Sequence, residues 1–182
     1  MTINEYTKID KLFDETIFLE NVNTMFKKLL SSITLNNIDQ IKHYFNEEIY
    51  NKTKQIIDSN NNKNQLQIYE LLNVKDSNIN KFTEFDNYYE IEVLLNSRYI
   101  EYIIDKDTSK VISGNTESRI NVDYLLTLTK SKNTKEIKSV FKCPGCGASV
   151  DIDETGICDY CDTSFDLSNY SWIITKIKKI KA

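Results

Sequence analysis

Tyr88-Tyr89-Glu90-Ile91-Glu92-Val93-Leu94-Leu95 decides the fold class. Tyr89, Ile91, Val93 and Leu95 fall on one side of an extended chain, the period of a half-buried strand. Downstream, Asn96-Ser97 reads as a bulge, because extended character resumes at Arg98 and runs to Ile104. Asp105-Lys106-Asp107-Thr108-Ser109 is a turn, and the chain returns over Lys110 to Ser113. Arg119 to Lys130 is the last long strand, with Ile120, Val122, Tyr124, Leu126 and Leu128 alternating. Upstream, Asp86-Asn87 turns the chain, Ile79 to Phe85 is extended, and Gln65 to Lys75 reads as a further strand of mixed spacing.

Before these strands the period changes. Phe13, Ile17, Val22, Met25, Phe26, Leu29, Leu30 and Ile33 recur every three or four residues, which predicts one long amphipathic helix that frays before Asp10. Asn37 caps a short second helix, with Gln40 in the capping-box position, and that helix buries Ile38, Ile41 and Phe45. Asn46 caps a third, with Glu47 and Glu48 at its positive end and Ile49, Tyr50, Ile56 and Ile57 along one face. Helices first and strands second is the order of an α+β domain. Three helices then cover one face of a curved antiparallel sheet, and the expected shape is a cone with a pocket at its wide end.

A second unit follows. Cys143-Pro144-Gly145-Cys146 and Cys158-Asp159-Tyr160-Cys161 use every cysteine in the chain. Each Cys-x-x-Cys turn aims two sulfurs at one point, and two such turns make a tetrahedron of four thiolates for Zn²⁺. Pro144 sets the entry to the first knuckle, and Gly147 can take the left-handed conformation that leaves it; Asp162 stands at the matching place after the second. Ala148 to Ile152 alternates as a short strand, Asp153-Glu154-Thr155-Gly156 turns, and Ile157 leads to the second pair, which together read as a zinc ribbon. So short a hairpin buries little, and the metal supplies much of its folding free energy. With all four positions filled by cysteine, the ion is structural and no coordination site stays open for water. Two disulfides, a rubredoxin-type iron site and a thioredoxin-like redox pair are the alternatives; they require, respectively, an oxidising compartment, iron in place of zinc, and a βαβ context.

The expected organisation is therefore a cone domain over residues 1–130, a linker over 131–139, a zinc ribbon over 140–175 and a basic tail over 176–182. The net charge is −4, and a zinc tetrathiolate would move it toward about −6, which argues against nucleic acid as the main partner. No apolar run has the length of a membrane span and the first residues do not read as a signal peptide, so the expected setting is cytoplasmic, at most peripheral to a membrane.

The segment Tyr102-Ile103-Ile104-Asp105-Lys106-Asp107-Thr108-Ser109-Lys110-Val111-Ile112-Ser113-Gly114 resembles the central strand-turn-strand of bacterial Tim-forty-four-like proteins, a family named after a mitochondrial inner-membrane import subunit. The stretch from Cys143 to Trp172 resembles the zinc ribbon that follows this domain in many bacterial members, and the likeness runs from about Phe18 to Ile174. The resemblance implies a nuclear-transport-factor-two-like (cystatin-like) cone. It also implies a noncatalytic role in protein transport or near membranes, with a pocket able to take an apolar group; the expected function is a module that binds a protein segment or lipid through the cone pocket or the ribbon surface. Ser109 stands where the family usually has Gly, and Asp162 replaces the glycine of the second knuckle.

Four other features carry alternative readings. His43, the single histidine, reads as partner-satisfied or solvent-facing. Asp86 with Tyr88 and Tyr89 is the arrangement to test for an isomerase- or dehydratase-like enzyme on the same cone, although Asp-Asn is ordinary turn chemistry and the two tyrosines face opposite sides. The aromatics Tyr99, Tyr102, Tyr124, Phe82 and Phe85 read first as core. The tail from Ile173 to Lys181 reads first as a frayed, solvated terminus; as a helix it would put Ile173, Ile177 and Ile180 on one side with lysines elsewhere, a pattern for peripheral membrane contact, and Trp172 is expected to pack on the ribbon. A third function, a nucleic-acid accessory acting through the ribbon, requires a basic face there.

Overall fold

Strand β2 (Tyr88–Asp105) is the spine of the computed structural model, which describes residues 2–133, 141–143, 145–150, 158, 160, 161, 163 and 172–181. Strand β1 (Gln65–Glu84) runs antiparallel along one side of it. Its other side is shared: β3 (Val111–Gly114) pairs with Tyr102 to Ile104, and β4 (Ile120–Ser131) pairs with Tyr88 through Tyr99. The inner face carries Ile91, Val93, Leu95 and Tyr99 from β2 and Val122, Tyr124, Leu126 and Leu128 from β4, all buried, as the alternation predicts. Three helices lie on that face: α1 (Ile3–Ile9), α2 (Glu15–Thr34) and α3 (Glu47–Asn62), with a short 3-10 helix at Asp39–Tyr44 between the last two. The fold is an α+β cone of helices on a curved antiparallel sheet.

Several local expectations change. The two upstream extended pieces are one strand, β1, whose register shifts at three places against β2. These shifts explain the mixed apolar spacing, since each extra residue turns the following side chains to the other face. Leu71, in the first of them, takes a positive φ of 51° and stays exposed. Asn96-Ser97 is not a bulge in β2, whose pairing with β4 is unbroken; the irregularity lies opposite, where Lys75 is the extra residue between Val74 and Asp76. The buried Ser97 continues the inner face between Leu95 and Tyr99 and donates its hydroxyl to the Val122 carbonyl at 3.3 Å.

The long first helix is two helices. Thr2 and Glu5 form a capping box that starts α1, and Asp14 accepts from the Ile17 N–H to start α2. Between them Asp10 accepts from the Leu12 N–H, so the link is held by side chains that compete with helical bonding. The break turns Tyr6 into the core, where it is 1% exposed. The second helix is 3-10, and no side chain caps it; Asn37 instead accepts from the Asp39 N–H in a tight turn. Asn46 caps α3 through the Ile49 N–H at 3.1 Å, with Ile49 and Ile57 buried and Ile56 facing out at 42% exposed. Ser109 occupies the left-handed region at φ 57°, the conformation for which glycine is the usual residue.

Ile173–Lys181 is not a basic helical tail but a strand, β7, antiparallel to β4 and the last in the sheet order β1-β2-β4-β7. Ile174 pairs with Leu128 and is 0% exposed, and Ile177 pairs with Leu126. Trp172 packs edge-on to Tyr6, Phe13 and Phe18 at 5.9, 6.5 and 5.6 Å, so it belongs to the cone core and not to the ribbon. The register shifts around Thr175, which puts Ile174 and Ile177 three apart on the same face and imitates helical spacing. Five of its nine residues are β-branched, the composition that favours a strand. The cysteine-bearing segment is therefore inserted between two neighbouring strands of one sheet, and the ribbon and tail boundaries expected at 140–175 and 176–182 give way to a strand from Ile173. The linker expected at 131–139 begins inside β4, and most of it lies outside the described residues.

Candidate metal centre

Strands β5 (Phe141–Lys142) and β6 (Ser149–Val150) form a two-stranded sheet around the first cysteine pair. The Cys143 N–H donates to the Ala148 carbonyl at 2.8 Å, and the Gly147 N–H returns to the Cys143 carbonyl at 2.8 Å. Gly147 leaves this turn at φ 73°, as the sequence predicts for that position. The second pair repeats the device: the Cys158 N–H donates to the Thr163 carbonyl at 2.9 Å, again five residues on. In both knuckles the first cysteine is buried and the second exposed. The turn expected at Asp153–Gly156, and Asp162 with it, lie outside the described residues.

The four sulfurs converge. Their Sγ atoms all lie within 4.8 Å of one another, with Cys143 to Cys161 at 3.5 Å and Cys146 to Cys158 at 3.7 Å. A tetrahedron of Zn–S bonds at 2.3 Å has sulfur–sulfur edges of about 3.8 Å. The thiols are free, and at 3.5 and 3.7 Å the sulfurs that approach across the knuckles are not bonded, so the four cysteines form one cluster and not a pair of disulfides. Hydrogen bonding at the sulfurs also suits thiolates. Burial pushes the Cys143 thiol up, but the N–H groups of Cys146 and Gly145 outweigh it and bring it down to about 6. The Thr163 hydroxyl, 3.1 Å from Cys161 Sγ, holds that thiol below its usual range. Cys146 receives the Ala148 N–H, yet hydrogen bonding with Cys161 and burial push it up to about 12. Cys143, Cys146, Cys158 and Cys161 can hold a metal ion.

Two residues beyond the cysteines shape the site. A Cβ on Gly145 would meet Thr163 Oγ1 at 2.2 Å and Cys161 Sγ at 3.3 Å, so glycine is what allows the two knuckles to close. Thr163 supplies both the knuckle carbonyl and the hydroxyl at Cys161. Its signal in the sequence is positional: it follows Cys158 at the interval by which Ala148 follows Cys143.

Among the described residues, the cone interior is filled by side chains. Tyr99 and Tyr124 share a buried hydroxyl contact at 2.6 Å, and Phe26 packs on Tyr124 at 4.8 Å. Beside them Glu101 accepts from Tyr69 at 3.0 Å and from Gln67 at 2.8 Å. Burial, then Glu101, pushes the Tyr69 phenol far above its usual range; burial, then Tyr124, does the same to Tyr99. These hydroxyls stay protonated and already have partners. Asp86, Tyr88 and Tyr89 do not converge: Asp86 is exposed in the turn, Tyr88 stacks on Phe85 at 4.5 Å, and Tyr89 packs on Tyr6 at 4.8 Å. Phe82 joins the core and Tyr102 bonds Glu70 on the exterior. A groove of about 350 Å³ opens at the rim where β2 passes from β4 to β3, lined by Tyr102, Ser113, Gly114, Asn115 and Ser118 among others. His43 is neither satisfied nor solvent-facing: it is 7% exposed, lies against Tyr44, and its Nδ1 has no partner. Burial, then the nearby Lys28, lowers its pKa to about 4, so the ring is neutral and uncharged at neutral pH.

The Tim44-like domain model matches residues 1–140, which takes in all three helices and β1 to β4 and stops before the cysteines and β7. Among solved structures the chain is similar to the crystal structure of the intermembrane space region of chloroplast protein ARC6, at 8% identity and a TM-score of 0.48, covering 93% of this chain and 99% of that one. No curated protein matches it. No described helix is long and apolar enough to cross a membrane. With the family's domain matching most of its length, the chain belongs to the Tim44-like domain family.

Proposed function

We propose that this chain is a noncatalytic, transport-associated binding module that holds one structural Zn²⁺ at Cys143, Cys146, Cys158 and Cys161 and engages a protein segment through its surface. The observation that carries this reading is the filled cone: Tyr99, Tyr124, Tyr69 and Glu101 satisfy one another where a reaction site would need an open acid or base. Family membership supports a transport role, and zinc is the metal that four thiolates in this geometry take most readily. The metal would hold the inserted knuckles in shape and present their surface. A lipid-filled cone loses its support, since aromatic side chains occupy the interior. Peripheral membrane contact through Ile173–Lys181 loses its helical basis, since only Ile180 of that segment's isoleucines stays more than a third exposed. A cytoplasmic setting belongs to the same proposal, because the cluster needs reduced thiols.

A displayed library of random peptides, selected against the folded, metal-loaded chain, tests the reading. Selected segments should bind equally well after Tyr69→Phe and Glu101→Gln, which remove the half-buried polar cluster between the core and the rim groove. If no segment is selected, and small molecules instead raise the thermal midpoint in a way that requires Glu101, the cone is a ligand site and the proposal fails.

A further inference from the structure

The far side of β7 is an edge of the sheet. Its first part is closed: the Asn46 N–H donates to the Ile174 carbonyl at 3.2 Å, the Asn46 side chain donates to the Thr175 carbonyl at 3.1 Å, and Phe45 bridges Ile174 in parallel. Beyond Thr175 the described residues place no strand beside it. Lys176 to Lys181 thus offers about 20 Å of backbone, the length of an ordinary strand, regular over Lys176 to Lys179 and shifted by one extra residue at Ile180. Such an edge is a template for another chain unless its side chains forbid it.

Here the side chains forbid some chains and admit others. Lys176, Lys178 and Lys179 are exposed, and among the described residues none of them forms an ion pair. Glu48, which feels Lys176, is already paired with Lys52 at 2.6 Å. Lys176 and Lys178 share the outer face and Lys179 falls on the other side, opposite Tyr124, so the edge is basic on a chain of net charge −4. Like charges placed opposite each other across a strand pair are destabilising, so a second copy of β7 is turned away. The register decides what fits. Lys176 pairs with Thr127 and Lys178 with Leu125 on the outer face, whereas Ile177 pairs with Leu126 on the inner face. A strand carrying carboxylates at alternate positions would set them against Lys176 and Lys178 and place the residue between them against the half-buried Ile177.

We propose that the free edge of β7, Lys176–Lys181, is a docking edge at which an extended acidic protein segment, with acidic and β-branched residues alternating, joins the sheet as a further strand. This rests on the binding-module reading above and names the partner's chemistry. Main-chain bonds would supply affinity and the lysines would supply selection, as in other cases of strand addition. An anionic membrane offers the charge but cannot continue a hydrogen-bond ladder, so the backbone distinguishes the two.

The test uses the full metal-loaded chain and a labelled hexapeptide, Glu-Val-Glu-Ile-Asp-Val, followed by fluorescence anisotropy. Three further probes are a peptide of the same composition with its acids grouped at one end, the hexapeptide N-methylated at alternate residues, and vesicles rich in phosphatidylglycerol. The alternating peptide should bind and weaken as salt rises, and the grouped and N-methylated peptides should bind roughly tenfold less tightly. Lys176→Glu with Lys178→Glu should weaken binding by about tenfold or more, with Trp172 emission unchanged as the sign that β7 is still seated. If that double reversal unseats β7, Lys176→Gln with Lys178→Gln should give a smaller loss in the same direction. Equal affinity for the N-methylated peptide, binding indifferent to the lysine changes, or binding of vesicles without binding of the peptide would each overturn the proposal. Failure of every acidic probe would also overturn it, and would leave the broader reading to the unbiased library, which is not restricted to acidic segments.

Discussion

Stripping the metal from the four cysteines should leave Trp172 in place. The sequence assigns this tryptophan to the ribbon, whereas the structure sets it in the cone among Tyr6, Phe13 and Phe18 and makes it 8% exposed. Two energies compete when the metal goes. Roughly 40 residues join β4 to β7, and a metal tying Cys143 to Cys161 shortens the free loop to roughly 24; the closure entropy at stake is about 0.5 kcal/mol, a factor of about two. Against it stands the burial of Trp172 and Ile174, together about 3–6 kcal/mol. Burial wins, so β7 should stay on the sheet while the knuckles lose order. The assay is the emission of the chain's single tryptophan, with amide exchange followed by mass spectrometry, before and after a strong chelator. Emission should keep its buried wavelength, protection over residues 141–150 should vanish, and exchange over Ile174–Lys181 should rise about twofold. A red shift to the wavelength of a solvated indole, with β2 still protected, would refute the reasoning and return Trp172 to the ribbon.

Two further outcomes follow from single side chains. Gly145→Ala should lower metal affinity by about tenfold or more, because the new methyl meets Thr163 Oγ1 at 2.2 Å; Gly145→Ala with Thr163→Ala should recover part of the loss, read by competition with a chromophoric chelator. His43 should make stability fall as pH drops from about 6.5 toward 4. Its folded pKa is depressed to about 4, so across that window the unfolded chain binds the proton and the folded one does not. The effect is complete below the folded value, and His43→Phe should flatten the slope of the urea midpoint against pH.

What the sequence disclosed, and what it concealed, follows from how far each signal reaches along the chain. Ile91, Val93 and Leu95 alternate within a few residues, and so does the series from Val122 to Leu128; both were legible because β2 and β4 pair without a break. The four cysteines were legible because metal chemistry demands residue types that little else demands. The division of the first helix was written in Thr2, Glu5 and Asp14, but the apolar period ran past it and hid the caps. β7 was concealed for a different reason. A bulge at Thr175 shifted its alternation by one, and its partner β4 lies on the far side of the cysteine insertion, beyond any local pattern. Gly145 and Thr163 meet only when the two knuckles close on each other, and no window of sequence contains that contact. The filled interior likewise depends on tyrosines from β1, β2 and β4 meeting in three dimensions.

Cobalt substitution tests most directly whether one divalent ion is shared by the four sulfurs. Titrating the reduced, metal-free chain with Co²⁺ should produce the visible ligand-field bands of a tetrahedral tetrathiolate, saturating at one ion per chain, with all four cysteines then shielded from a thiol reagent. Saturation at half an ion per chain, bands of an octahedral aquo complex, or any of the four thiols reacting at the rate of an unbound cysteine would contradict it.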